Sequence, residues 1–134
     1  MVAVSVKVPY ANVAQGVANA IWGSDQGYCS PYVIVLEDDV DPRDKSQVLH
    51  AIATKCHPWR GITRIEHSRA TQLYPFLNLH ERRYRLGSHV LFDCTWPVDW
   101  DPAIAVPPRS SFDNIYSKEV QKHVLKNWKA YGYD

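Results

Sequence analysis

Four carboxylates stand close together directly after an apolar run in the first third of the chain. They are Glu37, Asp38, Asp39 and Asp41. Hard cations such as Mg²⁺ prefer carboxylate oxygens, so one hypothesis is a metal site, as in a metal-dependent hydrolase. The other is that Asp41 begins a turn with Pro42, that Asp44 caps a helix, and that the remaining carboxylates are solvated or paired. We expect the second arrangement and keep the first as an alternative.

Other patterns with catalytic or metal-binding chemistry are missing from the sequence. The six histidines form neither an i, i+4 pair nor a zinc-like spacing with a cysteine. There is no glycine-rich phosphate loop, nucleophile elbow or Cys-His arrangement, and the order of elements does not fit a phosphorelay receiver. The run from His80 to Arg85 mixes cations with an aromatic residue, and we interpret it as a solvated or interface loop. The sequence therefore predicts no catalytic residue and no metal ligand.

The element that positions the carboxylates is a strand buried on both faces. Residues 32–36 are uninterrupted apolar residues, which indicates a central strand of a sheet covered by helices. Valines at positions 2, 4, 6 and 8 alternate with other residues and predict an earlier strand near the sheet edge. Between them, Asn12 with Gln15 predicts a capped helix that Gly23 ends. Strand, helix and strand form a parallel unit with a right-handed crossover.

The rest of the chain predicts two more helices, two more strands and an extended arm. Asp44 with Gln47 predicts the start of the second helix, whose buried face would comprise Val48, Leu49, Ile52, Ala53 and Cys56. Strands are predicted over 62–66 and 88–94, with an irregular passage between them.

Proline and tryptophan residues over 95–116 predict an arm laid over a surface. A last helix is predicted over 117–132, with an apolar face formed by Val120, Val124, Leu125, Trp128 and Tyr131. We expect one α/β domain over 1–134, with its core over 1–94 and a small, mainly parallel sheet of about four strands flanked by helices.

Composition indicates which classes of partner the chain binds and which it does not. Fifteen basic and fourteen acidic residues leave the chain near neutrality, so neither nucleic acid nor an anionic membrane is expected as a partner. Five tryptophans and eight tyrosines indicate an oligomer or a docking surface. Three cysteines without metal spacing predict a reduced, cytoplasmic protein, and no segment resembles a signal peptide or a membrane span.

The runs over 32–42 and 48–58 resemble the carboxy-terminal domain of the UbiD-type decarboxylases. That family has an apolar strand, an Asp-Asp-x-Asp turn and a helix ending Ala-Thr-Arg-Cys-x-Pro, and Lys55 stands here in place of the arginine. Residues 4–7 are similar to the family's opening strand, and residues 112–133 to its closing helix. Residues 92–97 and 100–102 resemble members that act on phenolic substrates, including phenylphosphate carboxylase-like proteins.

The resemblance implies a (de)carboxylase of aromatic or unsaturated acids that uses prenylated FMN with Mn²⁺ and K⁺. In that family the flavin, the metals and a catalytic Glu-Arg-Glu trio belong to a split-barrel domain and the segment after it, and nothing here matches them. The chain is therefore expected to be a fragment of such an enzyme or a small subunit that completes a flavin-binding subunit in a homo- or hetero-oligomer. It is not expected to be active alone.

The resemblance also implies where this chain meets the aromatic acid. The pocket-facing segments of the family are similar to residues 28–31 and 71–75, so Cys29, Pro31, Thr71 and Leu73 are predicted to line the substrate pocket. Variation of such residues would select substrates through pocket shape. The alternative is a free-standing assembly or regulatory module that docks a partner through the arm over 95–116. A neighbouring gene for a flavin domain would distinguish the two.

Overall fold

The computed structural model describes residues 1–133, which form two compact units. The first unit spans Met1–Val98 and the second begins at Asp99. In the first unit lie β1 (Val2–Val6), α1 (Val13–Gly23), β2 (Tyr32–Glu37), α2 (Lys45–Thr54), β3 (Ile62–Arg69), α3 (Leu79–Tyr84) and β4 (Leu86–Cys94), with a 3₁₀ turn at Gly27–Cys29. In the second lie α4 (Phe112–Ile115), α5 (Lys118–Lys126) and a 3₁₀ turn at Lys129–Tyr131.

The four strands form one mixed sheet in the order β1-β2-β4-β3. β1 and β4 both pair with β2 in parallel, and β3 pairs with β4 in the antiparallel sense. β1 is an edge strand and β2 is central, as the sequence predicts. The α/β class and the mainly parallel sheet are confirmed.

Both faces of β2 are covered, which confirms the buried strand. Alternate side chains enter two cores because successive residues of a strand point to opposite faces. Ile34 and Leu36 pack with Val48 and Ala51 of α2, whereas Val33 and Val35 pack with Ala14 and Ala18 of α1. The two helices thus hold the strand that ends at the acidic cluster.

Two local predictions are wrong. Asn12 makes no capping bond with its side chain because its backbone is left-handed, with a φ of 64°, and the Gln15 amide bonds to Asn19 instead. In α2, Leu49 is 66% exposed and Ala53 is also exposed. Each directly follows a residue that faces the sheet, and one step along a helix turns the side chain by about 100° away from it.

Two segments differ from their prediction: the passage expected to be irregular contains a short helix between strands that are longer than expected, and the last helix is shorter than expected. The passage between the last two strands holds α3, since β3 runs on to Arg69 and β4 starts at Leu86. Within 117–132, α5 ends where the backbone of Asn127 leaves helical geometry and its side-chain amide bonds to the His123 carbonyl. Of the helices formed by residues 1–133, none has the length and apolar character that crossing a bilayer requires.

The three cysteines are free, and two of them belong to the core. Cys94 is fully buried on the α2 side of the sheet, and the half-buried Cys56 packs against it. Burial, followed by the neighbouring Cys56, raises the pKa of the Cys94 thiol to about 12. Because only the thiolate is a good nucleophile, Cys94 acts as an apolar core residue.

Candidate functional site

A lysine neutralises the centre of the acidic cluster. Lys55, directly after α2, bonds to the carboxylate of Glu37 and lies 3.0 Å from that of Asp39. Its side chain is 12% exposed and that of Glu37 is 20% exposed, so most of this ion pair is shielded from water. The other oxygen of Glu37 accepts a hydrogen bond of 3.0 Å from the Trp96 backbone N–H. Glu37 therefore ties the end of β2 to α2 and to the chain after β4.

Asp41 and the nearby Asp44 serve the turn and the helix start, as expected, whereas Asp38 is exposed. Asp41 accepts a bond from the Arg43 N–H at 2.9 Å, and Asp44 caps α2 by accepting from the backbone N–H groups of Ser46 and Gln47. The Gln47 amide donates to Asp44 in return. Lys55 already occupies the place between carboxylates that a cation would take, and no group of three potential ligands that could hold a metal is found within residues 1–133.

A second candidate site begins at the 3₁₀ turn after α1. The N–H of Gly27 bonds to both oxygens of Ser24, at 3.2 Å for the carbonyl and 3.1 Å for the hydroxyl. The Trp22 indole N–H donates to the Ser30 carbonyl at 3.0 Å. These bonds attach both ends of the turn to α1, so the position of Tyr28 between them is defined.

The loop from Thr71 to Asn78 approaches the same turn and is held by Arg82. The Arg82 guanidinium donates to the Leu77 and Pro75 carbonyls, and the Arg82 carbonyl accepts a bond from the Gln72 amide. Asn78 and Glu81 form a capping box that starts α3. The loop is therefore held in place mainly by hydrogen bonds to α3.

Two cavities share Tyr28, and together we name them the Tyr28 cleft. The smaller, of about 130 Å³, is lined by Tyr28, Ala70, Thr71, Gln72, Leu73 and Arg85. The larger, of about 470 Å³, extends towards the end of α1, where Trp22, Asp25, Arg69 and His89 are among its lining residues. Tyr28 thus connects the end of α1, β3 and the loop before α3.

Two of the four predicted pocket residues line this cleft, and the other two lie in the turn that carries Tyr28 and directly before β2. Thr71 and Leu73 line the smaller cavity. Cys29 follows Tyr28 and is exposed, while Pro31 is buried and its carbonyl accepts a bond from the Val90 N–H at 2.7 Å. That these residues face a substrate remains a prediction.

Two buried polar atoms near the cleft lack a hydrogen-bond partner within the described residues. They are Nε2 of His89 and the hydroxyl of Tyr74. Burial raises the pKa of Tyr74, and Cys29 and Tyr28 add to this effect, so the phenol lies within electrostatic range of the turn. Unpaired buried groups are rare in native proteins and call for an explanation.

His89 contributes a neutral imidazole to the larger cavity. Its ring stacks on Trp22 with 4.9 Å between the centroids, and the residue is 5% exposed. Burial lowers the pKa of His89, although the backbone carbonyls of Tyr28 and Arg69 oppose this shift. The imidazole is therefore uncharged near neutral pH.

The sequence prediction does not include Arg69, Arg85 or His89 in this site, and it includes Tyr28 only as part of the pocket-facing segment 28–31. Arg69 ends β3 and Arg85 precedes β4, so only the antiparallel pairing of these strands brings them together. The one signal in the sequence is the mixture of cations and an aromatic residue over 80–85, for which the sequence predicts a solvated or interface loop. The cleft offers cations, hydrogen-bonding groups and aromatic walls, which suit ligand binding.

The comparison with protein families matches residues 1–94 to the C-terminal domain of 3-octaprenyl-4-hydroxybenzoate carboxy-lyase. Phenolic acid decarboxylase of Sedimentibacter hydroxybenzoicus is 32% identical over an alignment that covers 94% of this chain and 26% of that protein. Pyrrole-2-carboxylic acid decarboxylase of Pseudomonas aeruginosa is 25% identical over 123 residues. The match covers 92% of this chain and 25% of that protein. The chain spans about a quarter of the length of these curated relatives.

Solved structures agree with this comparison. Vanillic acid decarboxylase of S. hydroxybenzoicus in its closed form superposes with a TM-score of 0.74 at 28% identity, over 95% of this chain and 26% of that one. HmfF, a UbiD-class enzyme of Pelotomaculum thermopropionicum solved in complex with FMN, superposes with a TM-score of 0.64 at 20% identity. The superposition covers 94% of this chain and 25% of that one. The second likeness shows the fold alone.

Proposed function

The chain belongs to the C-terminal domain family of the UbiD-type carboxy-lyases, and from this premise we propose that it completes an aromatic-acid (de)carboxylase. The flavin-binding domain or subunit would be its partner, and this chain would supply walls of the substrate pocket and oligomer contacts. The family match over residues 1–94 is the observation that carries the proposal. Three curated or solved relatives named above act, by name, on phenolic, pyrrole-2-carboxylic or vanillic acid.

The cofactor of the complete enzyme would be prenylated FMN with Mn²⁺ and K⁺. The residues of this chain do not fit those metals, because Lys55 pairs with Glu37 and Asp39, Asp41 bonds within its turn, and residues 1–133 contain no group of three potential ligands that could hold a metal ion. No counterpart of the Glu-Arg-Glu trio has been found in this sequence. We therefore derive no chemical step from this chain and assign it a binding and positioning role.

The pocket walls in this proposal come from the turn before β2 and the loop before α3. Cys29 and Pro31 belong to the first segment, and Thr71 and Leu73 to the second. The support is that Thr71 and Leu73 line a cavity together with Tyr28, the neighbour of Cys29. Three free thiols are in keeping with the reduced cytoplasm, which we propose as the location.

Titration of the 134-residue chain with prenylated FMN tests this assignment. We expect no tight flavin binding by the chain alone, and flavin retention by the complex with its flavin-binding partner. Tight, stoichiometric binding of the flavin by this chain alone would contradict the proposal. Absorbance of the flavin after gel filtration measures both outcomes.

Truncation after Val98 tests the proposed oligomer contacts. In α5 and the following turn, Val120, Leu125, Trp128 and Tyr131 are exposed, and Leu125 is 61% exposed. Such an apolar face is typical of an interaction surface. We expect the truncated chain to have a smaller oligomeric mass by light scattering than the full chain, beyond the mass removed.

A pair of point variants separates this effect from general damage. Leu125→Ser is expected to reduce the oligomer as the truncation does, whereas Lys122→Ser, on an exposed position of the same helix, is expected to leave it unchanged. A full chain that is already monomeric would contradict the proposed contacts. The rival hypothesis, a module that docks a partner through the arm over 95–116, stays the alternative.

A further inference from the structure

Arg69 presents hydrogen-bond donors that no group in residues 1–133 uses. Its guanidinium lies over the Tyr28 ring, with 3.9 Å from Cζ to the ring centroid. Stacking engages the face of a guanidinium and leaves the N–H groups at its edge available for a planar anion. In the described part of the chain Arg69 has neither an ion pair nor a hydrogen bond from its side chain.

Arg85 occupies a backbone position that favours glycine. It caps the end of α3 in the left-handed conformation, with a φ of 53°. Glycine is the usual residue there, so a side chain at this position costs up to about 1 kcal/mol. Arg85 nevertheless lines the smaller cavity beside Thr71, and its side chain has no bonded partner within the described residues.

Strand pairing places the two arginines at the same end of the sheet. Arg69 is opposite Leu86 in the register of β3 and β4, and the Ala70 N–H donates to the Arg85 carbonyl at 2.8 Å. Arg69 lines one cavity of the Tyr28 cleft and Arg85 the other. Asp25 is the one carboxylate among the described residues that line them, so the cleft has a positive excess.

The remaining surface of the cleft suits the rest of a small organic acid. Tyr28 and Leu73 supply apolar walls, and Gln72 and Thr71 add polar groups. His89, whose ring stacks on Trp22, belongs to the wall of the larger cavity. A cleft with two cations at aromatic and apolar walls is complementary to an anion that carries a ring.

We propose that the Tyr28 cleft binds a small aromatic carboxylate, with Arg69 and Arg85 as the residues that recognise its negative charge. The inference deepens the proposed function and rests on it, since it names the groups by which this chain would select an acid. Arg69 and Arg85 are binding and specificity residues here, and no chemical step is assigned to them.

Calorimetric titration of the full 134-residue chain with sodium benzoate tests the proposal. We expect Arg69→Gln and Arg85→Gln each to weaken benzoate binding about tenfold, which is the loss of one charge-assisted contact. Benzamide, the neutral analogue of the same shape, should bind about tenfold more weakly than benzoate. Arg43→Gln removes an exposed charge outside the cleft and should leave the affinity unchanged.

Arg85→Gly separates recognition from folding. Glycine relieves the left-handed backbone, so this variant should be at least as stable as the parent in urea and yet bind benzoate about tenfold more weakly. Absence of benzoate binding, unchanged binding in the Arg69 and Arg85 variants, or equal affinity for benzamide would overturn the proposal. Phosphate binding as tight as benzoate binding would also overturn it. The flavin titration does not depend on this site, so failure of one proposal is distinguishable from failure of the other.

Discussion

Replacing Gly27 with alanine is expected to destabilise the chain by about 3 kcal/mol, because forced overpacking has costs of this size. A Cβ at this position would lie 1.5 Å from the Ile21 carbonyl oxygen and 2.7 Å from the Ser24 hydroxyl. The first contact is with backbone, which cannot move aside without distorting the end of α1. Urea denaturation followed by circular dichroism measures the loss.

The same substitution is expected to weaken ligand binding as well as stability. Gly27 holds the turn that carries Tyr28, so Gly27→Ala should also weaken benzoate binding at the Tyr28 cleft. Gly16→Ala is the matched control, because a Cβ at Gly16 has no atom within 4 Å. There, alanine should stabilise α1 by about 0.5 to 1 kcal/mol through its better helix propensity. A Gly27→Ala chain as stable as the parent would show that the close approach of the turn to α1 is wrong.

Replacing Lys55 with methionine is expected to cost about 2 kcal/mol of the free energy of unfolding. The substitution preserves the apolar stem but leaves the carboxylate of Glu37, only 20% exposed, without its cation. Removal of one partner of a fully buried pair costs more, and the partial exposure of this pair reduces the effect. The midpoint of urea denaturation measures it.

Three variants identify the cause of that loss. Lys45→Met removes an exposed lysine from the same helix and should change the stability by less than about 0.5 kcal/mol. Lys55→Arg introduces the residue that the family pattern has at this position and should retain most of the stability. Glu37→Gln combined with Lys55→Met should be less destabilised than the sum of the single changes, since neither charge is left unpaired. Additive losses would show that the pair does not interact.

The central part of the fold follows from local pattern, and its exceptions have physical reasons. The buried strand β2 and the Asp44 cap are predictable because each has a local sequence pattern: an uninterrupted apolar run for the strand, and the spacing of Asp44 and Gln47 for the cap. Asn12 looks like a cap in the same way, yet its φ of 64° removes the side chain from that role. The spacing of a capping pair does not specify the backbone conformation of its first residue, and Asn tolerates the left-handed region.

The sequence identifies two segments of the candidate site but not all the residues that line it. The resemblance pointed to Thr71 and Leu73, and the structure places both in a cavity with Tyr28. Arg69 and Arg85 could not be joined from sequence, because periodicity leaves the order of the strands open. Their proximity is a consequence of the antiparallel pairing of β3 with β4.

The acidic cluster shows how a strand-end position can mislead. Ligands often bind at the carboxyl ends of parallel strands, which made a cation site a reasonable alternative. Lys55 instead closes the turn from α2, and Glu37 also holds the Trp96 backbone N–H. The cluster is therefore a structural connection, and the ligand-binding surface that we propose lies at the Tyr28 cleft.

The most direct test of the proposed function is the release of CO₂ from a set of aromatic acids, which includes the vanillic and pyrrole-2-carboxylic acids that the relatives' names give, in the presence of prenylated FMN. The rate is measured for this chain alone, for the flavin-binding polypeptide of the same organism alone, and for the two together. We expect substantial release only from the combination. Release by this chain alone, or a rate for the flavin-binding polypeptide that adding this chain leaves unchanged, would contradict the account.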